Sequence, residues 1–419
     1  MPTSTAHLTT APRLATAMAG SRHAHPVLAG ALGAALGLAT LGGLALLAAC
    51  SGGDDTGGGG AGATITTSQG GHGGGTGGTG ANGGTGGTGA NGGTGGAPPV
   101  TELVHLVGRF DLTDPAAPGS TWPLTSMSTR IDGTGLDVNL DGAGGVYFQV
   151  EVDGSPTTVF QTSGGPQSYP VVSGLASGQH DIGIYRRNEG FFGVVQFVGF
   201  TATGGGTMIE SPRPYQHRIE FIGDSLTCGY GIEGADQYCS FSGDTESAYL
   251  TYAAVASRAT AAEPHIIAYS GKGVFQNYGG DTTEPMPELY GRTLTDSATP
   301  AWSFSSWIAD AVVVNLGTND FSATIAQSDF VNAYVTLLGT IRSYYPSAMI
   351  FCVSWADWGA QHEQWVVDAM TQSGDANTRH LSFAIDPADG YGCDGHTSIT
   401  TNQKLGAQLA QALGSELGW

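Results

Sequence analysis

One serine and one histidine, far apart in the chain, carry side chains that could perform nucleophilic catalysis together. Ser225 lies in the string Gly223-Asp224-Ser225-Leu226, and His396 follows Asp394 by two residues. A serine hydroxyl attacks a carbonyl only when a base removes its proton, and a histidine held by a carboxylate can do this near neutral pH. We therefore predict a triad of Ser225, His396 and Asp394. A Ser–His dyad is the alternative, in which a backbone carbonyl orients the imidazole.

Two other short segments could stabilise the oxyanion that forms when a serine attacks an ester carbonyl. Each follows a predicted strand: Ser270-Gly271-Lys272-Gly273 and Gly317-Thr318-Asn319-Asp320. Backbone N–H groups and side-chain amides are suitable donors to such an oxyanion, and a glycine lets the main chain approach closely. We therefore predict an oxyanion hole formed by the backbone N–H groups of Ser225 and Gly273 and the side-chain amide of Asn319.

Buried strands alternate with helices in the part of the chain that contains these segments. Strands that are apolar throughout are typical of a parallel sheet covered by helices on both faces. Reactive groups in such sheets collect beyond the carboxyl ends of the strands. We therefore predict a three-layer α/β/α domain over residues 215–419, with the candidate site at one rim of its sheet. The predicted strands are Arg218–Ile222, His265–Tyr269, Ala311–Leu316 and Ala348–Ser354, and the predicted helices are Ser247–Ala262, Asp329–Tyr345 and Thr400–Leu417.

A different pattern fills residues 99–205, where short alternating or β-branched runs are separated by glycine, proline or aspartate. Such runs at regular spacing predict an all-β unit, either a sandwich or a jelly roll. The glycines at 204–206 mark the expected boundary with the α/β domain. The predicted strands are Leu103–Phe110, Ser128–Ile131, Leu136–Leu140, Val146–Val152, Thr157–Gln161, His180–Tyr185 and Val194–Phe200.

The first residues of the chain have the composition of a targeting segment. Residues 1–49 contain arginine but no acidic residue, and they end in an apolar run that stops before Cys50. This segment resembles the signal peptide of bacterial lipoproteins, which implies cleavage before Cys50 and acylation of its thiol. A single transmembrane anchor is the alternative. The Gly/Thr-rich residues 50–98 predict a disordered linker, so we expect a lipid-anchored protein outside the cytoplasm, at the outer membrane or the cell surface.

The charge of the chain excludes one large class of partners. It has 14 Lys and Arg residues against 35 Asp and Glu residues, a formal net charge of −21. Binding to a phosphate backbone needs clustered cations, so we expect no nucleic-acid partner. We expect a monomer that contacts a membrane only through the lipid anchor.

Four cysteines remain after Cys50. An even number in an exported chain permits disulfides without fixing their pairing. Cys228 with Cys239 is the first pairing we expect, and a bond between Cys352 and Cys393 is a further possibility. The chain has no cluster of cysteine and histidine with zinc-ligand spacing, so we expect neither a metal nor another cofactor.

The order and spacing of these motifs resemble a known superfamily. The serine, glycine, asparagine and histidine blocks of the SGNH, or GDSL-type, hydrolases are matched by Ser225, Gly273, Asn319 and His396. More narrowly, the stretches at 108–112 (GRFDL), 223–231 (GDSLTCGYG) and 246–253 (ESAYLTYA) are similar to carbohydrate esterase family 2, the two-domain acetyl-xylan esterases. The resemblance implies a jelly-roll domain packed against the hydrolase, no metal, and removal of acetyl groups from plant hemicellulose through an acetyl-enzyme.

Three aromatic residues near the predicted rim could bind sugar rings. Trp355, Trp358 and Tyr391 follow the fourth strand or precede the histidine, although core packing or a lid is an equal alternative. The family usually carries a tryptophan between acid and base, where this chain has Gly395, so one aromatic wall of the acceptor site is expected to be missing.

Other functions remain compatible with these residues. A deacetylase of bacterial surface glycans and a short-chain esterase would use the same four blocks. A surface glycan-binding lipoprotein with an inactive hydrolase domain belongs to another class, but the intact serine, asparagine and histidine argue against it. We therefore expect an acetyl-xylan esterase.

Overall fold

The computed structural model describes residues 103–211 and 215–419. The predicted signal peptide of residues 1–49, Cys50 and the linker of residues 50–98 lie outside the described residues and stay predictions. Among the described residues, none of the helices combines the length and the apolar character needed to cross a membrane.

The N-terminal unit consists of short strands that pair antiparallel in two sheets. The strands within residues 103–211 are β1 (His105–Val107), β2 (Gly119–Ser120), β3 (Ser126–Asp132), β4 (Gly135–Gly142), β5 (Gly144–Val152), β6 (Ser155–Ser163), β7 (Gln167–Val172), β8 (Gln179–Arg186), β9 (Val195–Thr203) and β10 (Thr207–Ile209). One sheet has the order β1-β3-β8-β5-β6, with β10 also paired to β3, and the other has the order β2-β9-β4-β7.

The two sheets of this unit enclose one apolar core, which confirms the predicted β-sandwich. On β3, the buried Met127, Thr129 and Ile131 alternate with half-buried residues, as expected for a strand with one face on the core. The predicted boundary at residue 205 is wrong, because β10 returns after the glycines and pairs with β3. The polar, proline-containing β7 has too weak a pattern for prediction.

The C-terminal unit alternates strands and helices. Its strands are β11 (His217–Gly223), β12 (Ala262–Ala268), β13 (Arg292–Leu294), β14 (Ser297–Ala301), β15 (Ala311–Asn315), β16 (Met349–Trp355) and β17 (Thr378–Phe383). Its helices are α1 (Ser225–Cys228), α2 (Tyr252–Ala259), α3 (Met286–Leu289), α4 (Gln327–Tyr344), α5 (Ala360–Ser373) and α6 (Ile399–Leu417). Helix α2 is shorter than predicted because the Thr251 side chain caps it, accepting a hydrogen bond from the Ala254 N–H.

A five-stranded parallel sheet lies at the centre of this unit, in the order β12-β11-β15-β16-β17. One face packs under α4 and α5, and the opposite face packs under α2 and α6. This arrangement confirms the three-layer α/β/α prediction. Strand β11 comes first in the chain but second in the sheet, so the direction of winding reverses beside it. Ligand sites of open α/β sheets form at such a reversal, beyond the carboxyl ends of the strands.

A buried ion pair joins the two units. Arg109, which follows β1, donates from Nη2 to Glu220 Oε2 on β11 over 3.0 Å, and neither side chain is exposed to solvent. Tyr290 and Tyr345 donate their hydroxyls to the same carboxylate over 2.6 and 3.2 Å. Nearby, Trp122 of the N-terminal unit donates to the Thr293 carbonyl. The strand that leads to Ser225 is therefore held in place by the β-sandwich.

Replacing Arg109 with alanine is expected to lower the free energy of unfolding by about 3–5 kcal/mol, because Glu220 would stay buried without its countercharge. The control is Arg130→Ala in the partly exposed Arg130–Asp181 pair, for which a loss of about 1 kcal/mol or less is expected. Chemical denaturation of both variants measures the two losses. Equal losses would show that the buried pair does not hold the units together.

Candidate active site

Ser225 lies at the first position of α1, immediately after the carboxyl end of β11. The Asp224 carboxylate caps this short helix by accepting a hydrogen bond from the Leu226 N–H over 3.0 Å. A side chain at Gly223 could not fit, since its Cβ would lie 2.1 Å from the hydroxyl oxygen of Thr227. The tight turn from strand to helix leaves Ser225 at the rim of the sheet, largely buried.

His396 reaches the nucleophile from the loop before α6. Its Nε2 lies 2.9 Å from Ser225 Oγ, although the two residues are 171 positions apart. Burial lowers the pKa of the imidazole, and this effect outweighs the Cys393 and Asp394 carbonyls and the Asp394 charge, which raise it. The imidazole is therefore neutral at neutral pH and can accept the serine proton.

Asp394 does not hold the imidazole, so the predicted contact is wrong. Its carboxylate accepts hydrogen bonds from the Tyr230 hydroxyl and the Phe241 N–H, each over 3.0 Å. The Nδ1 atom of His396 is buried without a hydrogen-bond partner. The physical reason is the backbone of Asp394, whose φ of 53° turns the side chain toward Tyr230. This geometry leaves Ser225 and His396 as a pair without a carboxylate on the imidazole. The backbone of Cys393 and Asp394 raises the pKa of the imidazole but does not complete the hydrogen bond to Nδ1 that the predicted dyad includes.

A disulfide ties the histidine loop to the loop after α1. It joins Cys239 to Cys393 across 154 positions, so both expected pairings are wrong. Cys228 is buried under the nucleophile on α1, and Cys352 is buried in the middle of β16 beside Tyr334. Neither of these two thiols reaches a surface loop. Backbone hydrogen bonds support the same contact, since the Asp394 N–H donates to the Cys239 carbonyl over 2.9 Å.

The predicted oxyanion donors lie on neighbouring strand ends, but two of them have protein partners. The Asn319 amide donates to the Lys272 carbonyl over 2.9 Å and to Asp224 over 3.2 Å. The Gly273 N–H donates to the Asn277 side chain over 3.3 Å. Both longer contacts are weak enough to be shared with a substrate oxyanion, and donor geometry commonly tightens only when substrate binds.

The loop that contains Gly273 is fixed by Asp320, whose role the sequence patterns do not predict. The Asp320 carboxylate accepts hydrogen bonds from the backbone N–H groups of Val274, Phe275 and Gln276. Burial raises the pKa of Asp320 to about 6, against the effect of these donors. Only glycine fits at 273, since a Cβ there would lie 1.9 Å from the Gln276 carbonyl oxygen.

A second buried group of acids lies beneath the site, and the sequence patterns miss it because one member belongs to the β-sandwich. Glu189, before the 3-10 turn of residues 190–192, accepts hydrogen bonds from the N–H and hydroxyl of Ser270. Its carboxyl group lies against that of Glu246 and the thiol of Cys228, with one atom of each within 4.8 Å of the others. Glu189 therefore links the N-terminal unit to the start of the Gly273 loop.

These three side chains could in principle ligate a cation, but their chemistry favours a shared proton. Burial, followed by the neighbouring charge of Glu189, raises the pKa of Glu246 well above its ordinary range. Burial also raises the pKa of the Cys228 thiol, so this sulfur is not a thiolate. Asn188 and the Glu189 N–H donate to Glu246. Burial and the adjoining carboxyl group therefore favour a proton in this cluster over two neighbouring negative charges.

The three predicted sugar-stacking residues have different surroundings. Trp355 is only 2% exposed and donates to Asn315, so it belongs to the core, which was the alternative. Trp358 is half-buried and packs against Phe321 and Gly317 beside the Asn319 loop, so it keeps a position at the rim. Tyr391 lines a cavity of about 450 Å³ with Tyr238, and neither Ser225 nor His396 lines that cavity.

Replacing Asp394 with asparagine is expected to lower kcat by about tenfold or less, because the carboxylate positions the Tyr230 and Phe241 loop and not the imidazole. A true triad aspartate costs about 10⁴-fold in kcat when replaced by asparagine. Steady-state hydrolysis of a small acetyl ester distinguishes the two values, with His396→Ala as the control that removes the base. A loss near the triad value would contradict the structure.

The raised pKa of Glu246 predicts a dependence of stability on pH. A carboxyl whose pKa is raised by folding contributes its full stabilisation below the ordinary pKa of glutamate, and this contribution is lost as pH rises through the raised pKa. Glu246→Gln keeps a neutral side chain, so its free energy of unfolding is expected to fall less toward alkaline pH than that of the unmodified protein. Denaturation at a series of pH values measures this, with the exposed Glu288→Gln as control. Parallel curves for Glu246→Gln and the unmodified protein would contradict the assignment.

Two family models match the two units that the structure describes. The model of the carbohydrate esterase 2 N-terminal domain matches residues 106–212. The model of the GDSL-like lipase/acylhydrolase family matches residues 221–384. The first match covers the β-sandwich, and the second covers the α/β unit from β11 to β17.

Similar proteins are found among both characterised and solved chains. The cellulase/esterase CelE of Acetivibrio thermocellus is 38% identical over 74% of this chain, which spans only 39% of CelE. An acetylxylan esterase / glucomannan deacetylase of Cellvibrio japonicus is 25% identical, over 75% of this chain and 89% of that protein. A solved family two carbohydrate esterase from Clostridium thermocellum, in complex with cellohexaose, is 37% identical with a TM-score of 0.72, over 75% of this chain and 99% of that chain. Because this similarity extends over both units, the chain belongs to carbohydrate esterase family 2.

Proposed function

We propose that this protein is a serine esterase that removes O-acetyl groups from xylan or a related hemicellulose. The 2.9 Å contact between His396 Nε2 and Ser225 Oγ carries the proposal, because it supplies an activated nucleophile in a member of an esterase family. A lipid anchor on Cys50, expected from the leader, would hold the enzyme at the cell envelope, where polymeric substrates are accessible.

In the first half of the reaction, Ser225 Oγ attacks the acetyl carbonyl carbon while His396 Nε2 takes the hydroxyl proton. The carbonyl oxygen becomes the oxyanion, which the Ser225 and Gly273 N–H groups and the Asn319 amide stabilise. The bond between the carbonyl carbon and the sugar oxygen then breaks, and His396 returns the proton to that oxygen. The products are a free sugar hydroxyl and an acetyl group on Ser225.

In the second half, water replaces the sugar. His396 removes a proton from a water molecule, whose oxygen attacks the acetyl carbon. The same donors stabilise the second oxyanion. The ester bond to Ser225 breaks, the proton passes from His396 to Ser225 Oγ, and acetate leaves. In each half, His396 accepts one proton and gives it up again, so the proposed cycle closes with no other proton acceptor.

Similarity to named proteins supports a polysaccharide substrate. The relative from Cellvibrio japonicus is named for activity on acetylated xylan and glucomannan, and the solved relative was determined with a bound glucan oligosaccharide. Gly395, with a φ of 74°, offers no aromatic face beside the histidine. The sugar must therefore find its stacking surface on other residues of the rim.

Acetate release from acetylated xylan, acetylated glucomannan and O-acetylated peptidoglycan tests the proposal. The unmodified protein is expected to release acetate fastest from one of the two hemicelluloses, and Ser225→Ala is expected to lose at least about 10⁴-fold in kcat, as when a triad nucleophile is removed. Ser398→Ala, at the cap of α6 on the loop that carries His396, is the control for loss of a serine hydroxyl near the site. Fastest release from peptidoglycan would support a surface-glycan deacetylase. Binding of the polysaccharides without acetate release, equal in the unmodified protein and Ser225→Ala, would indicate a glycan-binding protein.

A further inference from the structure

We propose that Phe191 of the β-sandwich forms, with Phe241 and Tyr269, a binding subsite for a pyranose ring on the leaving-group side of the nucleophile. The inference rests on the proposed function, because it names where the polysaccharide extends from the acetylated sugar. It also gives the N-terminal unit a direct role in substrate recognition.

The chemistry of the site fixes which side the sugar occupies. His396 Nε2 must return its proton to the sugar oxygen, so that oxygen must come within hydrogen-bond distance of the imidazole. The acetyl group instead points its oxygen toward the donors from Gly273 and Asn319. The polysaccharide therefore lies beside the imidazole, and residues next to the imidazole are the ones that meet it.

A continuous row of aromatic rings begins at the imidazole and ends on the β-sandwich. The Tyr230 ring lies 4.3 Å from that of His396 and stacks on Phe241 at 4.0 Å, measured between ring centroids. Phe241 contacts Phe191 at 6.0 Å, and Phe191 contacts Tyr269 at 6.1 Å, both edge to face. Tyr269 precedes Ser270 at the end of β12, so the row returns to the rim of the sheet.

Phe191 is placed for a ligand and not for the core. Its side chain is 49% exposed, among the larger exposed fractions of the apolar residues that the structure describes. Its neighbour Phe192 packs inward and stacks on it at 4.7 Å. A ring held on one side and open on the other offers the flat apolar surface on which the C–H face of a pyranose packs.

The turn that carries Phe191 is fixed against the hydrolase, so the subsite is preformed. Gly190 leaves no room for a side chain, since a Cβ would lie 2.3 Å from the Thr295 hydroxyl oxygen. Asn188 donates to the Gly243 carbonyl over 2.8 Å, and Glu189 accepts from Ser270. Preformed surfaces bind a ligand without the entropic cost of ordering a loop.

The test compares a polymer with an ester whose alcohol is too small to reach Phe191. Phe191→Ala and Phe191→Leu are expected to raise KM for acetylated xylan by about tenfold, the loss of roughly one aromatic contact, and to leave hydrolysis of ethyl acetate unchanged. Phe191→Trp keeps a flat face and is expected to restore KM. Val198→Ala, at an exposed apolar residue on β9, is the matched control and is expected to change neither substrate.

The outcomes separate this inference from the proposed function. If the unmodified protein hydrolyses neither substrate, the proposed function fails. If it hydrolyses both and Phe191→Ala changes neither, the subsite is overturned while the esterase assignment stands. Equal loss on both substrates would also overturn it, because the effect would then lie in the catalytic geometry. If Phe191→Ala instead slowed hydrolysis of ethyl butyrate but not of ethyl acetate, an acyl chain and not a sugar would lie against Phe191, and the subsite would be overturned.

Discussion

The ion pair between Arg109 and Glu220 is the contact on which the arrangement of the site depends. Both charges are removed from water, and the cost of removing them is offset by their mutual attraction and by hydrogen bonds from two tyrosine hydroxyls to Glu220 and from Arg109 to the carbonyls of Tyr290 and Arg292. Glu220 belongs to β11, the strand that ends at the nucleophile. The β-sandwich is therefore part of the scaffold of the site and not an attached module.

A polar network made largely of acids lies under the site, and the β-sandwich contributes Glu189 to it. Asp224, Asp320, Glu189 and Glu246 are buried around the strand ends, and burial raises the pKa of each, that of Asp224 to about 7. Asp224, Asp320 and Glu189 accept hydrogen bonds from the turns after β11 and β12. Glu246 accepts hydrogen bonds from Asn188 and the Glu189 N–H on the β-sandwich. Such networks specify one geometry when their members are satisfied, because a shifted loop would leave a buried carboxyl group without partners.

The sequence predicts the features of this protein that depend on local pattern. Ser225 and His396 meet because parallel strands bring their carboxyl ends to one rim, which apolar strands and helix periodicity already indicate. The orientation of Asp394 could not be predicted, since it follows from a single backbone dihedral angle in a loop. The Cys239–Cys393 pairing depends on how two loops cross, and the role of Glu189 depends on the docking of a separate unit. Neither has a periodic signal in the chain.

The disulfide between Cys239 and Cys393 makes the structure of the histidine loop depend on the redox conditions under which the protein folds. Disulfides persist in oxidising compartments and are reduced in the cytosol. In a chain made in a reducing host, non-covalent contacts hold this loop, such as the hydrogen bonds from the Asp394 N–H to the Cys239 carbonyl and from the Tyr230 hydroxyl to the Asp394 carboxylate. Recombinant material prepared without an oxidation step therefore lacks the covalent tie at the loop that carries His396.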